Sequence, residues 1–117
     1  MSTDRELLEL AAKAAAIEHD GYHACIPVDV RHPRDGDSGL RLKTYEPWNP
    51  LTDDGDALRL AVRLRLNVYH DSNLADVHGT VNGRDVYATE AYLDDPYAAS
   101  RRAIVRAAAE IGRAKGD

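Results

Sequence analysis

Five histidines and a single cysteine are the first residues to invite a chemical reading. His19 and His23 stand four apart and Cys25 two further on, a set of zinc-type ligands if one rigid frame carried all three. Gly21 falls between the histidines and is expected to break the helix there, so the shared face is lost. No second close pair of His or Cys completes a set of four. His32, His70 and His78 are scattered singles, expected to be exposed or hydrogen-bonded, and no metal is expected. Cys25, flanked by Ala24 and Ile26, reads as a small buried apolar group on a strand rather than as a thiolate paired with His19 or His23.

Carboxylates are the next candidates. Asp53, Asp54 and Asp56 would suit a divalent ion and a phosphate substrate, and on that basis a small metal-dependent enzyme is one alternative. Their position at a helix start explains them without any ligand, because the positive end of the helix dipole favours acidic side chains. The segment Asp35-Gly36-Asp37-Ser38-Gly39, with Glu46 further on, imitates a calcium loop at its first, third and twelfth positions. Gly39 stands where the fifth ligand belongs, and Leu40 stands where a sharp turn needs glycine. It is expected to be a surface loop. There is no glycine-rich phosphate loop, no zinc-protease helix and no nucleophile elbow. No catalytic residue and no cofactor are assigned.

The elements that must position these groups can be read from capping and periodicity. Thr3-Asp4-Arg5-Glu6 is a capping box, and Leu7, Leu10, Ala11, Ala14 and Ile17 recur at helical spacing up to Gly21. Short strands are expected at 22–26 and 40–45, with a loop over 27–39. Asn49 is a candidate cap and Pro50 a first-turn residue for a helix over 50–64, and 65–70 reads as a strand. Asn82-Gly83 suits a two-residue type I′ turn, since both positions need positive φ. That turn sets Val81 opposite Arg84, Gly79 opposite Val86 and Val77 opposite Ala88 on a mostly apolar face. Asp76, His78, Thr80, Asp85, Tyr87 and Thr89 then point to a polar face. A last helix over 95–112 begins with Asp95 and Pro96 and carries a stripe of Tyr97, Ile104, Ala107, Ala108 and Ile111. Arg106 and Glu110 are spaced as an i,i+4 pair. These elements predict one α+β domain over residues 1–117, an antiparallel sheet with helices containing an α-β-β-β-α core.

Composition narrows the possibilities further. The 117 residues include no Phe, one Met and one Trp, so the core must be built from Leu, Val, Ala, Ile and Tyr. The net charge is −5, and all of that excess lies in residues 1–60, which hold 7 Lys/Arg against 12 Asp/Glu. Bulk charge therefore argues against general nucleic-acid binding. No apolar run reaches membrane-spanning length and the first residues lack a basic-then-apolar signal, so a cytoplasmic location without a membrane anchor is expected. One cysteine fits a reducing compartment.

Two blocks, 48–62 (WNPLTDDGDALRLAV) and 95–111 (DPYAASRRAIVRAAAEI), resemble segments of small phage and prophage proteins, the phage ABA sandwich domain family. The resemblance implies a three-layer α/β/α arrangement and a phage or prophage setting in the bacterial cytoplasm, and it carries no activity or catalytic residues. In such a sandwich the opening helix is expected to cover part of the polar hairpin face. Function is expected to be non-enzymatic binding of a host or phage protein. Its candidate contacts are the loop 27–39, Tyr45 and Trp48, and His78 with Tyr87 on the hairpin. The order α-β-β-β-α is shared with double-stranded-RNA-binding domains, so the basic strip Arg101, Arg102 and Arg106 supplies a nucleic-acid alternative.

Overall fold

The computed structural model describes residues 3–28 and 32–116. Of the loop 27–39, residues 29–31 lie outside the described residues. Helix α1 (Asp4–Ala14) starts at the expected capping box: the Glu6 amide donates to Thr3 Oγ1 at 3.1 Å, while the Thr3 amide donates to Glu6 Oε1 at 3.4 Å. It stops at Ala14, seven residues before Gly21, and Ala16 turns the chain with φ 56°. The physical reason is a strand that competes for the following residues. Strand β1 (His19–His23) pairs antiparallel with β2 (Gly39–Leu42), and Gly21, at φ 103°, takes up a register shift between His19 and Tyr22. Glycine therefore marks a bulge here, not a helix end.

The strand placed at 22–26 thus lies three residues earlier, and Cys25 falls beyond it. Cys25 is exposed, not buried, and its Sγ donates to the Gly36 carbonyl at 3.2 Å. Strand β2 ends at Leu42 because the chain turns back over 43–46 into β3 (Pro47–Trp48), which pairs with β2 and closes a three-stranded sheet ordered β1-β2-β3. This two-residue strand has no alternating pattern to betray it.

Helix α2 (Asp54–Arg63) is capped by Asp53, whose side chain accepts from the Asp56 amide at 2.8 Å. Asn49 caps an earlier, separate turn: its Oδ1 accepts from the Leu51 amide at 3.0 Å, and its carbonyl accepts from the amides of Thr52 and Asp53. That turn is not continued, because Asp53 is extended and starts the helix afresh. Strands β4 (Asn67–His70), β5 (Leu74–Val81) and β6 (Arg84–Ala91) form a second antiparallel sheet ordered β4-β5-β6. The turn carries φ 53° at Asn82 and 76° at Gly83, and Val81↔Arg84, Gly79↔Val86 and Val77↔Ala88 pair in the expected register.

Helix α3 (Pro96–Ala114) runs through the centre of the molecule, with its N-cap Asp95 accepting from the Ala98 amide at 3.0 Å. One side packs on β5 and β6, and the other sides meet α1 and α2. Ala103, Val105, Ala107, Ala108 and Ala109 are all fully buried, so the helix is covered nearly all round rather than along one stripe. Alanine makes this possible by letting neighbouring backbones approach. The limit is reached at Gly112, where a β-carbon would lie 2.1 Å from the Leu10 carbonyl oxygen of α1. Tyr97, expected on the buried stripe, is exposed, because cover on α3 begins only at Ala99.

Among the described residues the chain is thus an α+β fold with two small antiparallel sheets and three helices, containing the α-β-β-β-α order α2-β4-β5-β6-α3. Helix α1 packs chiefly along α3 and against the first sheet, not over the polar side of the second. Among the described residues no helix is long and apolar enough to cross a membrane.

Candidate functional site

Strict alternation along β5 sorts its side chains. Ala75, Val77 and Val81 are buried beneath α3, while His78 and Thr80 are exposed on the reverse. His78 pairs with Tyr87 of β6 and Asp76 with Thr89, so the reverse side gathers Asp76, His78, Tyr87 and Thr89 at the centre of the sheet. Tyr69 of β4, opposite Asp76, joins them.

The three rings form a row across all three strands. Tyr69 meets His78 edge-on, with centroids 5.5 Å apart at 86°, and His78 meets Tyr87 at 6.0 Å and 34°. Both tyrosines are exposed. A hydrogen-bonded group fixes the middle of the row: Asp76 accepts from His78 Nε2 at 2.9 Å and from Thr89 Oγ1 at 3.0 Å. An ionised carboxylate can only accept, so the His78 proton lies on Nε2. The bond from His78 first, and that from Thr89, hold the Asp76 carboxyl below its ordinary value of 3.8. The result is a flat, rigid aromatic row on an open sheet face, with acidic and hydroxyl groups around it.

The arginines of α3 have different work. Arg101 donates from Nε to the Leu51 carbonyl at 2.8 Å and from Nη1 to Asp54 at 2.7 Å, tying α3 to the start of α2. Arg102 donates to Asp4 of α1 at 3.0 Å. Arg106 donates to the Thr89 carbonyl at 3.1 Å and pairs with Glu90 of β6. The expected Arg106–Glu110 pair does not form, because Arg106 faces the edge of β6, and Glu110 pairs with Arg113 instead. Each member of the basic strip is therefore a tether from α3 to a different neighbouring element.

Tyr45 and Trp48 are not brought together. Trp48 is buried in the core beside Leu40, its β2 partner, whereas Tyr45 is exposed in the turn between β2 and β3 with φ 67°. Neither joins the row on the second sheet.

Asp53, Asp54 and Asp56 are each directed at arginine. Asp56 is the buried one: it accepts from Arg34 at 2.7 Å, from Arg59 at 2.8 Å and from the Asn49 amide at 2.9 Å. Arg34 also donates to the Pro47 carbonyl at 3.2 Å, latching the long loop onto β3 and α2. This network was not legible beforehand, since no spacing rule links Arg34 to a carboxylate twenty-two residues on. His19 Nδ1 accepts from the Gly21 amide at 2.9 Å, and His70 Nε2 lies 3.1 Å from Ser100 Oγ. Among the described residues no three His, Cys, Asp or Glu side chains gather to hold a metal ion.

Fold and site together define a small α+β chain that displays an aromatic row on an open antiparallel sheet face. No family model matches the chain, and neither a curated protein nor a solved structure matches it.

Proposed function

We propose that this chain is a non-enzymatic protein-binding module that docks a host or phage protein through the open face of β4-β5-β6, in the phage or prophage setting that its resemblance implies. The observation that carries the reading is the exposed row Tyr69, His78 and Tyr87. Aromatic side chains held rigidly on a flat surface lose little entropy on contact and supply large apolar area, which is why they anchor protein interfaces. Asp76, Thr80 and Asp85 supply hydrogen-bond acceptors around them and a negative field, which suits a protein surface carrying Lys or Arg better than a phosphate backbone. The engagement of Arg101, Arg102 and Arg106 by carboxylates supports the same choice over nucleic-acid binding.

The test places a benzophenone side chain at position 87 of the full chain, produced in a bacterial host, with the same group at the exposed position 5 of α1 as the control. Docking through the sheet face gives one discrete crosslinked protein from position 87 alone, and changing Tyr69 and His78 to Ala removes it. Equal crosslinks from both positions, or none, overturn the reading. Salt-sensitive binding of short duplex RNA that Arg101→Glu abolishes would move the assignment to the nucleic-acid alternative.

A further inference from the structure

We propose that the chain also associates with itself head to tail, the turn between β6 and α3 of one copy seated in an apolar groove over α2 of the next. The groove holds about 570 Å³ and is lined by Leu42 and Trp48 beside Leu58 and Val62 of α2. Leu58 and Val62 are one helical turn apart and 64% and 69% exposed, an apolar pair where a solvated helix face would be polar. Arg59 and Arg63 of α2 also line it. Arg59 gives one edge to Asp56, and the Arg63 side chain makes no ion pair or hydrogen bond among the described residues.

The turn carries the opposite pattern. Leu93 is 91% exposed and sits at φ 54°, a left-handed conformation that crowds the β-carbon of any residue but glycine. A hydrogen bond from the Asp95 amide to the Tyr92 carbonyl closes the turn, so Leu93 is held outward as a fixed knob. Asp94 and Asp95 follow it, and Tyr97 lies exposed two residues further on. Asp94 has no ion pair or hydrogen bond among the described residues. A strained, fully displayed leucine next to two carboxylates thus matches an apolar groove lined in part by two arginines.

Charge decides the geometry. Groove against groove would face arginine with arginine, and turn against turn would face aspartate with aspartate. Only the head-to-tail contact brings opposite signs together. The two surfaces share no lining residue, so one copy uses both at once and growth continues past the dimer as a ring or an open chain.

Sedimentation of the full chain from about 10 μM to about 1 mM tests this. Mean mass should rise past a dimer in about 20 mM salt and fall back in about 0.5 M salt. Leu93→Asp should weaken association at least about tenfold, as burying one such side chain requires. Arg63→Glu and Asp94→Arg should each leave monomers, and an equimolar mixture of the two should assemble again. Tyr87→Ala should change nothing here, which separates this contact from the sheet-face reading. A wild-type chain that stays monomeric at 1 mM and low salt, or assembly indifferent to Leu93→Asp, overturns the proposal.

Discussion

Asp76 and Asp56 show how differently two carboxylates can be used. Asp76 lies on the open sheet face with its pKa held below 3.8 by the bonds from His78 and Thr89. A depressed folded value means that the stability it lends is complete above the unfolded value of 3.8 and is lost as pH falls through the lower folded one. Carboxyl-carbon titration by NMR should therefore place its midpoint below 3.8, and His78→Ala should return it most of the way. An unmoved midpoint would mean that the His78 bond is not formed in solution. Asp56 is buried beneath Arg34 and Arg59. Asp56→Ala should cost about 3 kcal/mol in urea unfolding, because it strands the Asn49 amide and the Arg34 guanidinium together. Asp56→Asn keeps an acceptor for both and should cost about 1 kcal/mol. Equal losses in the two variants would show that the charge, not the acceptor, matters. Neither role was legible in the sequence, where Asp56 is one of three similar aspartates and its arginines arrive from elsewhere.

At the scale of single elements, the most legible pieces were those whose signals lie within four residues. The Thr3–Glu6 box, the Asn82-Gly83 turn and the Asp95-Pro96 start all formed as read, since each depends only on the φ angles or side-chain bonds of neighbouring residues. The turn can be tested alone: a β-carbon at Gly83 meets nothing within 4 Å, so Gly83→Ala should cost about 1 kcal/mol of thermal stability from its φ of 76° and nothing more. A loss several times larger would mean that the turn makes contacts not seen here. Where reading failed, two local signals competed. Asn49 and Asp53 are both good caps, and only the extended backbone at Asp53 decided between them. Gly21 is a plausible helix end, but pairing of His19 with Leu42 claimed the residues before it.

At the scale of the whole molecule, α3 is the axis, and its contacts with α1 and α2 decide whether the two sheets share one core. Gly112→Ala would set a β-carbon against backbone at 2.1 Å, and α1 must move as a unit to accept it. We expect a loss of about 3 kcal/mol or more, since repacking side chains cannot relieve a backbone clash. Urea unfolding compared with Gly83→Ala separates a crossing glycine from a turn glycine, and equal losses would contradict the close approach. The tethers should rank by burial. Arg101, with 17% of its side chain exposed and two partners on the α2 side, should cost about 1–2 kcal/mol on change to Ala. Arg102, at 40% and with one exposed partner, should cost no more than about 0.5 kcal/mol. The reverse order would place the important joint between α1 and α3 instead.

By itself the sequence determined the capped starts of α1 and α3, the hairpin register and which hairpin face is polar, because short-range hydrogen bonds, φ preferences and period-two patterning are set by neighbouring residues. Only the tertiary structure decided that Trp48 is core, that the polar face is left open, and that Arg101 and Arg102 meet carboxylates 47 and 98 residues away. Long arginine side chains can reach any of several acidic partners. The partner is chosen by how closely alanine and glycine let the helices cross, and that spacing exists only once the chain has folded.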